Sequence, residues 1–169
     1  MARARELVVG DPLAEETFVG PVVSAAAADI VMARISDAVD RGATVLLGNR
    51  REGQCVWPTV LEGVPDEAPL CADETFGPVM PLFVFDEEQE LIRRVNQTPF
   101  GLQAGVFTSN LQRVRRLFEG LDVGCLAVND GPGFRAEHFP FGGVKNSGLG
   151  REGVRYCAEE LTFLKTLVW

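Results

Sequence analysis

The sequence has few residues that could hold a metal ion and no pattern that would bring them together. It contains one histidine, His138, and four cysteines, none of which forms a Cys-x-x-Cys pair. Structural zinc sites use closely spaced cysteine and histidine ligands, so no metal site is expected. A disulfide framework is equally unexpected at this length and cysteine density. We therefore expect a cytoplasmic protein with reduced thiols.

Positive charge is also scarce. Sixteen lysines and arginines stand against 24 aspartates and glutamates, giving a formal net charge of −8 and a pI near 4.7. Nucleic acids and anionic membranes require a basic face, so neither is expected as a partner. The longest apolar runs are strand-sized, far short of a membrane span. The basic start, "MARARELVVG", is followed by too few apolar residues for a signal peptide.

The length of 169 residues is that of one domain, and a composition of 46% apolar and 24% charged residues allows a buried core. In the first half, Ser24 can cap a helix that runs to about Gly42. Its apolar face would contain Ala27, Val31, Ile35 and Ala38. "TVLLGN" then predicts a strand and a turn, and "CVWPTVLEGV" predicts an extended segment that bends at its proline.

The second half shows a regular alternation of strands and helices. Apolar runs predict a buried strand at 79–85 and further strands at 102–108 and 123–129. Asp86 with Gln89, and Ser109 with Gln112, have the spacing of capping boxes that begin the intervening helices. This β-α-β-α-β order predicts parallel strands joined by right-handed crossovers. A glycine- and proline-rich loop, a short helix at about 151–161 and a strand pattern, "FLKTLVW", follow.

Five segments, in order, resemble the aldehyde dehydrogenase superfamily. They are "VGDPLAEETFVGPVVS", "PTVLEGV", "ADETFGPVMPLFVF", "TPFGLQAGVFTSN" and "FPFGGVKNSGLGREG". The resemblance extends over the whole chain. It implies a single, incomplete segment at 1–169, the C-terminal part of the catalytic domain, with a largely parallel β-α-β sheet and a C-terminal oligomerisation strand.

The resemblance implies an oxidoreductase that converts an aldehyde to a carboxylic acid with NAD or NADP. In the family the nucleophilic cysteine lies upstream of the Gly-Asp-Pro-Leu segment, which begins here at Gly10. The nucleophile, the general base and the cofactor domain are therefore expected outside these residues, and the isolated chain is expected to be inactive. Cys55, in "EGQCVWPTVL", then has no catalytic role, and no neighbouring histidine would activate it. The other cysteines, Cys71, Cys125 and Cys157, are expected in the core.

The same resemblance assigns two residues to the cofactor. Glu74 corresponds to the glutamate that binds the nicotinamide-ribose hydroxyls, a task that suits a carboxylate because it can accept two hydrogen bonds. Phe76 corresponds to the aromatic residue that packs against the nicotinamide end. The alternative for Glu74 is one more solvated acid in the run "PDEAPLCADE".

The loop 130–141, "DGPGFRAEHFPF", matches the segment that lines the family's aldehyde tunnel. Phe141 would be an aromatic wall near the reacting carbon, and Phe134, Arg135 and His138 would meet the far end of the substrate. An arginine here could bind a carboxylate or phosphonate in bidentate fashion. The alternative is a surface ion pair between Arg135 and Glu137. The resemblance gives Asn129, Lys145 and Ser147 structural roles.

Two hypotheses for the chain remain open, and they differ in class. The chain is either part of an enzyme, with a small aldehyde as substrate, or a truncated, non-catalytic paralogue with a binding or assembly role. In both cases we expect a homodimer or an assembly with an upstream aldehyde dehydrogenase segment. A flavodoxin-like binding module would fit the β-α-β pattern alone, but it would not explain the five segments.

Overall fold

The fold is α/β, as predicted, with strands and helices alternating along most of the chain. A computed structural model describes all residues from Met1 to Trp169. Its internal contacts separate the chain into two units, Met1–Val84 and Phe85–Trp169, which are described in turn. No helix combines the length and the apolar character that crossing a membrane requires.

The first unit contains a three-stranded mixed sheet. Its elements are α1 (Ala2–Arg5), α2 (Ala25–Asp40), β1 (Thr44–Leu47), β2 (Arg51–Glu52), β3 (Cys55–Val56), β4 (Thr59–Glu62), α3 (Pro69–Ala72) and β5 (Val79–Leu82). Strand β4 lies in the centre, antiparallel to β1 and parallel to β5. Strands β2 and β3 form a separate antiparallel hairpin.

Helix α2 forms where its sequence predicts. The Ser24 side chain accepts a hydrogen bond from the Ala27 amide at 3.1 Å, which caps the first turn. The helix buries a stripe that packs in the core of the unit with Leu61, and the stripe consists of Ala28, Val31, Ile35 and Ala38. Gly42, with φ of +103°, turns the chain away after the last turn.

The second unit contains the predicted β-α-β crossover. Its elements are α4 (Glu88–Gln97), β6 (Gln103–Val106), α5 (Leu111–Gly120), β7 (Cys125–Val128), a 3-10 turn (Lys145–Ser147) and α6 (Val154–Glu160). Strands β6 and β7 are parallel and joined by α5. The predicted single, largely parallel β-α-β-α-β sheet is not formed. Strand β5 pairs with β4 in the first unit, so the two parallel pairs belong to separate sheets.

Both predicted capping boxes are wrong. Helix α4 begins after Glu87 without a side-chain cap. Helix α5 is capped by Asn110, whose Oδ1 accepts a hydrogen bond from the Arg113 amide at 3.0 Å. Asparagine caps as well as serine does, so the helix begins one residue later than predicted, with Asn110 as its cap.

Two expectations about burial and strand length are also wrong. The strand predicted at 79–85 ends at Leu82, and neither Met80 nor Val84 is buried. Burial alternates along β5, so one face of the strand is covered and the face that carries Met80 is not. Cys157 is exposed, because the apolar face of the short helix α6 packs on little. Residues 162–169 form no strand within the chain, and a strand that pairs with another subunit stays a prediction.

Candidate functional site

The predicted cofactor residues lie on the short segment that connects α3 to β5. The side chains of Glu74 and Phe76 are both exposed, and the Phe76 ring has 75% of its surface free. Only the backbone carbonyl of Glu74 is held, by a hydrogen bond that the Arg34 guanidinium donates at 2.5 Å. The carboxylate therefore remains available to accept hydrogen bonds from a ligand.

The backbone of this segment is held in place although its two site side chains are free. The Gly77 amide donates to the Thr75 carbonyl at 2.9 Å, which forms a tight turn before β5. The Pro78 carbonyl then accepts a hydrogen bond from the Thr59 amide of β4 at 2.8 Å. Glu74 and Phe76 consequently stand on a backbone whose direction is set by the sheet.

The predicted substrate loop begins where β7 ends in the second unit. Asn129 stands there in the left-handed region, with φ of +56°. Its amide donates to Val106 at 2.7 Å, and its side-chain oxygen accepts from the Thr108 amide at 2.9 Å. These bonds tie the ends of β6 and β7 together, which supports the structural role predicted for Asn129.

A cavity of about 760 Å³ lies between this loop and the strands of the second unit. Phe134, Arg135 and Phe141, three residues of the predicted substrate loop, line it. The His138 side chain does not line the cavity, and its ring contacts Phe139 with centroids 4.4 Å apart. The lining is mainly apolar with a few polar groups, the usual character of a small-molecule site.

Arg135 makes two contacts, and neither is with Glu137. Its Nη2 donates to the Glu152 carboxylate at 2.7 Å, and its guanidinium carbon lies 4.6 Å from the centre of the Phe141 ring. The predicted alternative, an ion pair with Glu137, is therefore wrong about the partner. The stacking is a cation–π contact, and it places the charge beside the cavity.

The glycine-rich segment after the loop is a backbone crossing. The Lys145 Nζ donates to the carbonyls of Asn96 and Thr98 at 3.2 and 2.8 Å. The Ser147 hydroxyl accepts a hydrogen bond from the Gly101 amide at 2.9 Å. Both side chains are committed to backbone groups, in agreement with their predicted structural roles.

Three residues at the cavity of the second unit were not predicted from the sequence. Gln103 donates to the Phe134 carbonyl at 2.8 Å and so fixes the loop to β6. Phe118 of α5 and Phe139 add aromatic surface to the cavity. Phe139 lies within the quoted loop and could have been selected as a third aromatic residue. The other two carry no signal, because only the crossover brings them to the loop.

Comparison with known proteins decides the family. The family model described as "Aldehyde dehydrogenase family" matches residues 1–167. The chain belongs to the aldehyde dehydrogenase family. A sulfoacetaldehyde dehydrogenase of Neptuniibacter caesariensis is 54% identical over 166 residues, which are 98% of this chain and 36% of that protein. A 3-sulfolactaldehyde dehydrogenase of Priestia aryabhattai is 40% identical, with coverages of 98% and 35%.

Solved structures of aldehyde dehydrogenases share the fold. Aldehyde dehydrogenase 21 from Physcomitrella patens, in complex with the reaction product succinate, matches with a TM-score of 0.91 and 38% identity, over 94% of this chain and 33% of that chain. A glyceraldehyde-3-phosphate dehydrogenase from Methanocaldococcus jannaschii, complexed with NADP, matches with a TM-score of 0.88 and 42% identity, with coverages of 94% and 34%. The cofactors of the family are NAD and NADP. The chain spans about a third of the length of the curated relatives it matches.

Proposed function

We propose that these 169 residues serve an NAD(P)-dependent aldehyde dehydrogenase, and that they supply cofactor-positioning and substrate-lining groups for the oxidation of an aldehyde to a carboxylic acid. The observation that carries the proposal is the exposed Glu74 carboxylate on a restrained backbone, within a chain of this family. NAD(P)+ supplies the hydride acceptor when bound. The residues of this chain would orient the cofactor and enclose the substrate.

Glu74 and Phe76 suit a ribose and the ring attached to it. A carboxylate can accept hydrogen bonds from both hydroxyls of a vicinal diol, and the Glu74 carboxylate is not engaged elsewhere. The exposed Phe76 ring offers an apolar surface two residues away. We propose that the two side chains together keep the nicotinamide end from moving during hydride transfer.

The test is Glu74→Gln in a complete enzyme that contains this segment. The amide keeps the shape of the side chain but loses the charge, and one charge-assisted hydrogen bond is worth about 1.5–3 kcal/mol. We expect NAD(P)+ to bind, or hydride transfer to proceed, at least about tenfold less well, with the aldehyde KM little changed. Single-turnover kinetics and cofactor titration measure both quantities.

A matched control is Glu62→Gln, which neutralises another exposed glutamate of the first unit, on β4. This variant is expected to behave as the wild type. Unchanged cofactor affinity and hydride-transfer rate in Glu74→Gln would remove Glu74 from the cofactor site and leave it as one solvated acid.

We further propose that the substrate carries an anionic group. Arg135 is the cation that lines the cavity, and Glu152 engages only one of its nitrogens, which leaves donors for an anion. The names of two similar proteins, a sulfoacetaldehyde and a 3-sulfolactaldehyde dehydrogenase, fit this chemistry. Phe134 and Phe141 would enclose the carbon chain, and His138 would reach the substrate only after its ring leaves Phe139.

Arg135→Ala tests this part. In the complete enzyme it should raise KM for sulfonated or carboxylated aldehydes by at least tenfold and leave neutral aldehydes unaffected, because a bidentate anion contact is lost. Arg155→Ala is the control, since Arg155 is an exposed arginine of α6 paired with Glu159. Equal effects on charged and neutral aldehydes would show that Arg135 only supports Phe141 and Glu152.

The second candidate function is an assembly module without chemistry, and exposed apolar residues near the end of the chain favour it. Phe163, Leu164, Leu167, Val168 and Trp169 are all more than four-fifths exposed. We propose that residues 163–169 add a strand to another subunit in either case, because such a segment offers unpaired backbone groups as well as apolar side chains. We also propose a cytoplasmic location, in keeping with the low cysteine density of the sequence.

Turnover by the 169 residues alone tests the position of the nucleophile, which both candidates place outside these residues. If the 169 residues lack the nucleophile, they should produce no reduced cofactor from NAD+ or NADP+ with any aldehyde. Turnover that is lost in Cys55→Ala would instead make Cys55 the nucleophile and would refute this assignment.

A further inference from the structure

We infer that Arg34 of helix α2 is a positioning residue that holds the 73–77 segment, so that Glu74 and Phe76 point away from the helix toward a ligand. The inference rests on the proposed function of Glu74. It adds a residue far away in sequence that touches neither the cofactor nor the aldehyde but controls the side chain that does.

The Arg34 guanidinium binds three successive residues. Its Nη1 donates to the Glu74 carbonyl at 2.5 Å and to the Thr75 hydroxyl at 2.8 Å, and its Nη2 donates to the Asp73 carboxylate at 3.3 Å. Only 19% of the Arg34 side chain is exposed, whereas 61% of the Asp73 side chain is. The arginine is therefore packed, and the segment is held against it.

A second contact, one turn earlier in the helix, holds the end of the segment. Val31 and Arg34 are three residues apart and share one face of α2. A Cβ placed on Gly77 would lie 2.7 Å from Val31 Cγ2, so the glycine lets the backbone approach the helix closely. The segment is thus gripped by a polar contact at 73–75 and an apolar contact at 77.

The contacts of the segment explain how Arg34 and Val31 orient the site. Asp73 is extended, with φ of −111° and ψ of 154°, and the hydrogen bond from the Gly77 amide to the Thr75 carbonyl then turns the chain at Phe76. The side chains of Asp73 and Thr75 turn toward Arg34, and Gly77 abuts Val31. Glu74 and Phe76, the residues between them, are left exposed.

Arginine suits this task better than lysine does. Its planar fork has five N–H donors in fixed directions and can bind a carbonyl, a hydroxyl and a carboxylate at once. An ammonium group on a flexible stem would not reach all three acceptors in the same geometry. A conservative change to lysine should therefore restore the positioning only in part.

The first experiment measures the segment itself, in the 169-residue chain. A glutamyl endopeptidase cleaves after Glu74 when the surrounding backbone can open, and mass spectrometry identifies that site. We expect Arg34→Ala to be cleaved there about tenfold faster than the wild type, because contacts to three residues are lost, with Arg34→Lys between them. The control, Arg41→Ala, removes an arginine that binds only Asp37 at the end of the same helix and should not accelerate this cleavage.

The second experiment measures the consequence in a complete enzyme that contains this segment. Arg34→Ala should weaken NAD(P)+ binding by about tenfold while the aldehyde KM stays constant, and Arg34→Lys should recover part of the loss. A general loss of structure would instead change both constants together. If Arg34→Ala fails to fold, Arg34→Lys carries the test, with partial changes expected in both experiments.

The outcomes separate this inference from the proposed role of Glu74. Loss of cofactor affinity in Glu74→Gln, with wild-type cleavage and affinity in Arg34→Ala and Arg34→Lys, would overturn the inference and leave the proposed function intact. Faster cleavage in Arg34→Ala with unchanged affinity would also overturn it, because the segment would then move without consequence for the cofactor. Unchanged affinity in Glu74→Gln itself would refute the proposed function.

Discussion

Gly77→Ala tests how tightly helix α2 packs against the segment that carries Glu74. An added Cβ would lie 2.7 Å from Val31 Cγ2 and 3.1 Å from Cγ1, whereas carbon atoms are ordinarily about 3.5–4.0 Å apart. Val31 cannot easily give way. It is 2% exposed, and a valine in a helix has one strongly preferred rotamer.

The expected cost follows from two opposing effects. Overpacking of a closely packed site costs about 1–3 kcal/mol. Replacing glycine by alanine restricts the unfolded chain and returns about 0.4–1 kcal/mol. The net loss is therefore about 1–2 kcal/mol, which lowers the melting temperature of a chain of this size by about 2–8 °C.

A double-mutant cycle attributes the loss to the contact itself. Val31→Ala removes two methyl groups and should cost about 2 kcal/mol by itself. In the double variant, the new Cβ occupies the space that the valine vacates, so the combined loss should be smaller than the sum by about 1 kcal/mol or more. Thermal or urea unfolding, followed by circular dichroism, measures all four proteins.

Gly20→Ala is the control, because its Cβ would meet Pro12 at 3.6 Å, an ordinary contact distance. It should leave stability nearly unchanged. Losses that add to within about 0.5 kcal/mol in the double variant would refute the reasoning, since the two residues would then not be in contact.

Two further predictions concern the second unit. The hydrogen bond from Arg116, and after it that from Arg113, holds the pKa of the Glu88 carboxyl below its usual range. The ionised Glu88 therefore stabilises the fold at pH values above the usual pKa of a glutamate, and this stabilisation is lost as the pH falls through the lowered pKa. The melting temperature should fall more steeply in the wild type than in Glu88→Gln below about pH 4, with Glu119→Gln as control; parallel curves would contradict this. Truncation after Thr162 should convert a self-associating chain into a monomer in light scattering, and an unchanged mass would argue against a contact through 163–169.

The family, helix α2 and the β6-α5-β7 crossover could be predicted from the sequence because their signals are local. A helical stripe, a serine cap and a following glycine lie within one turn or a few turns of each other, and they formed α2 as expected. Resemblance could identify two site regions because each is a contiguous segment. They are the motif with Glu74 and the loop with Phe134, Arg135 and Phe141. The cap of α5 was predicted wrongly although its signal is also local, because Ser109 and Asn110 are adjacent and either can cap a helix.

Only the tertiary structure decided which residues far apart in the chain pair with each other. Arg135 binds Glu152, 17 residues away, and not its near neighbour Glu137, because the loop returns beside the isolated bridge between Phe141 and Glu152. Only one face of strand β5 is covered, which its apolar composition does not reveal. Arg34 reaches the Glu74 segment across about 40 residues. Hydrophobic period and capping chemistry act over a few residues, whereas these contacts depend on how helices and strands pack, and that packing determines which way Glu74 points.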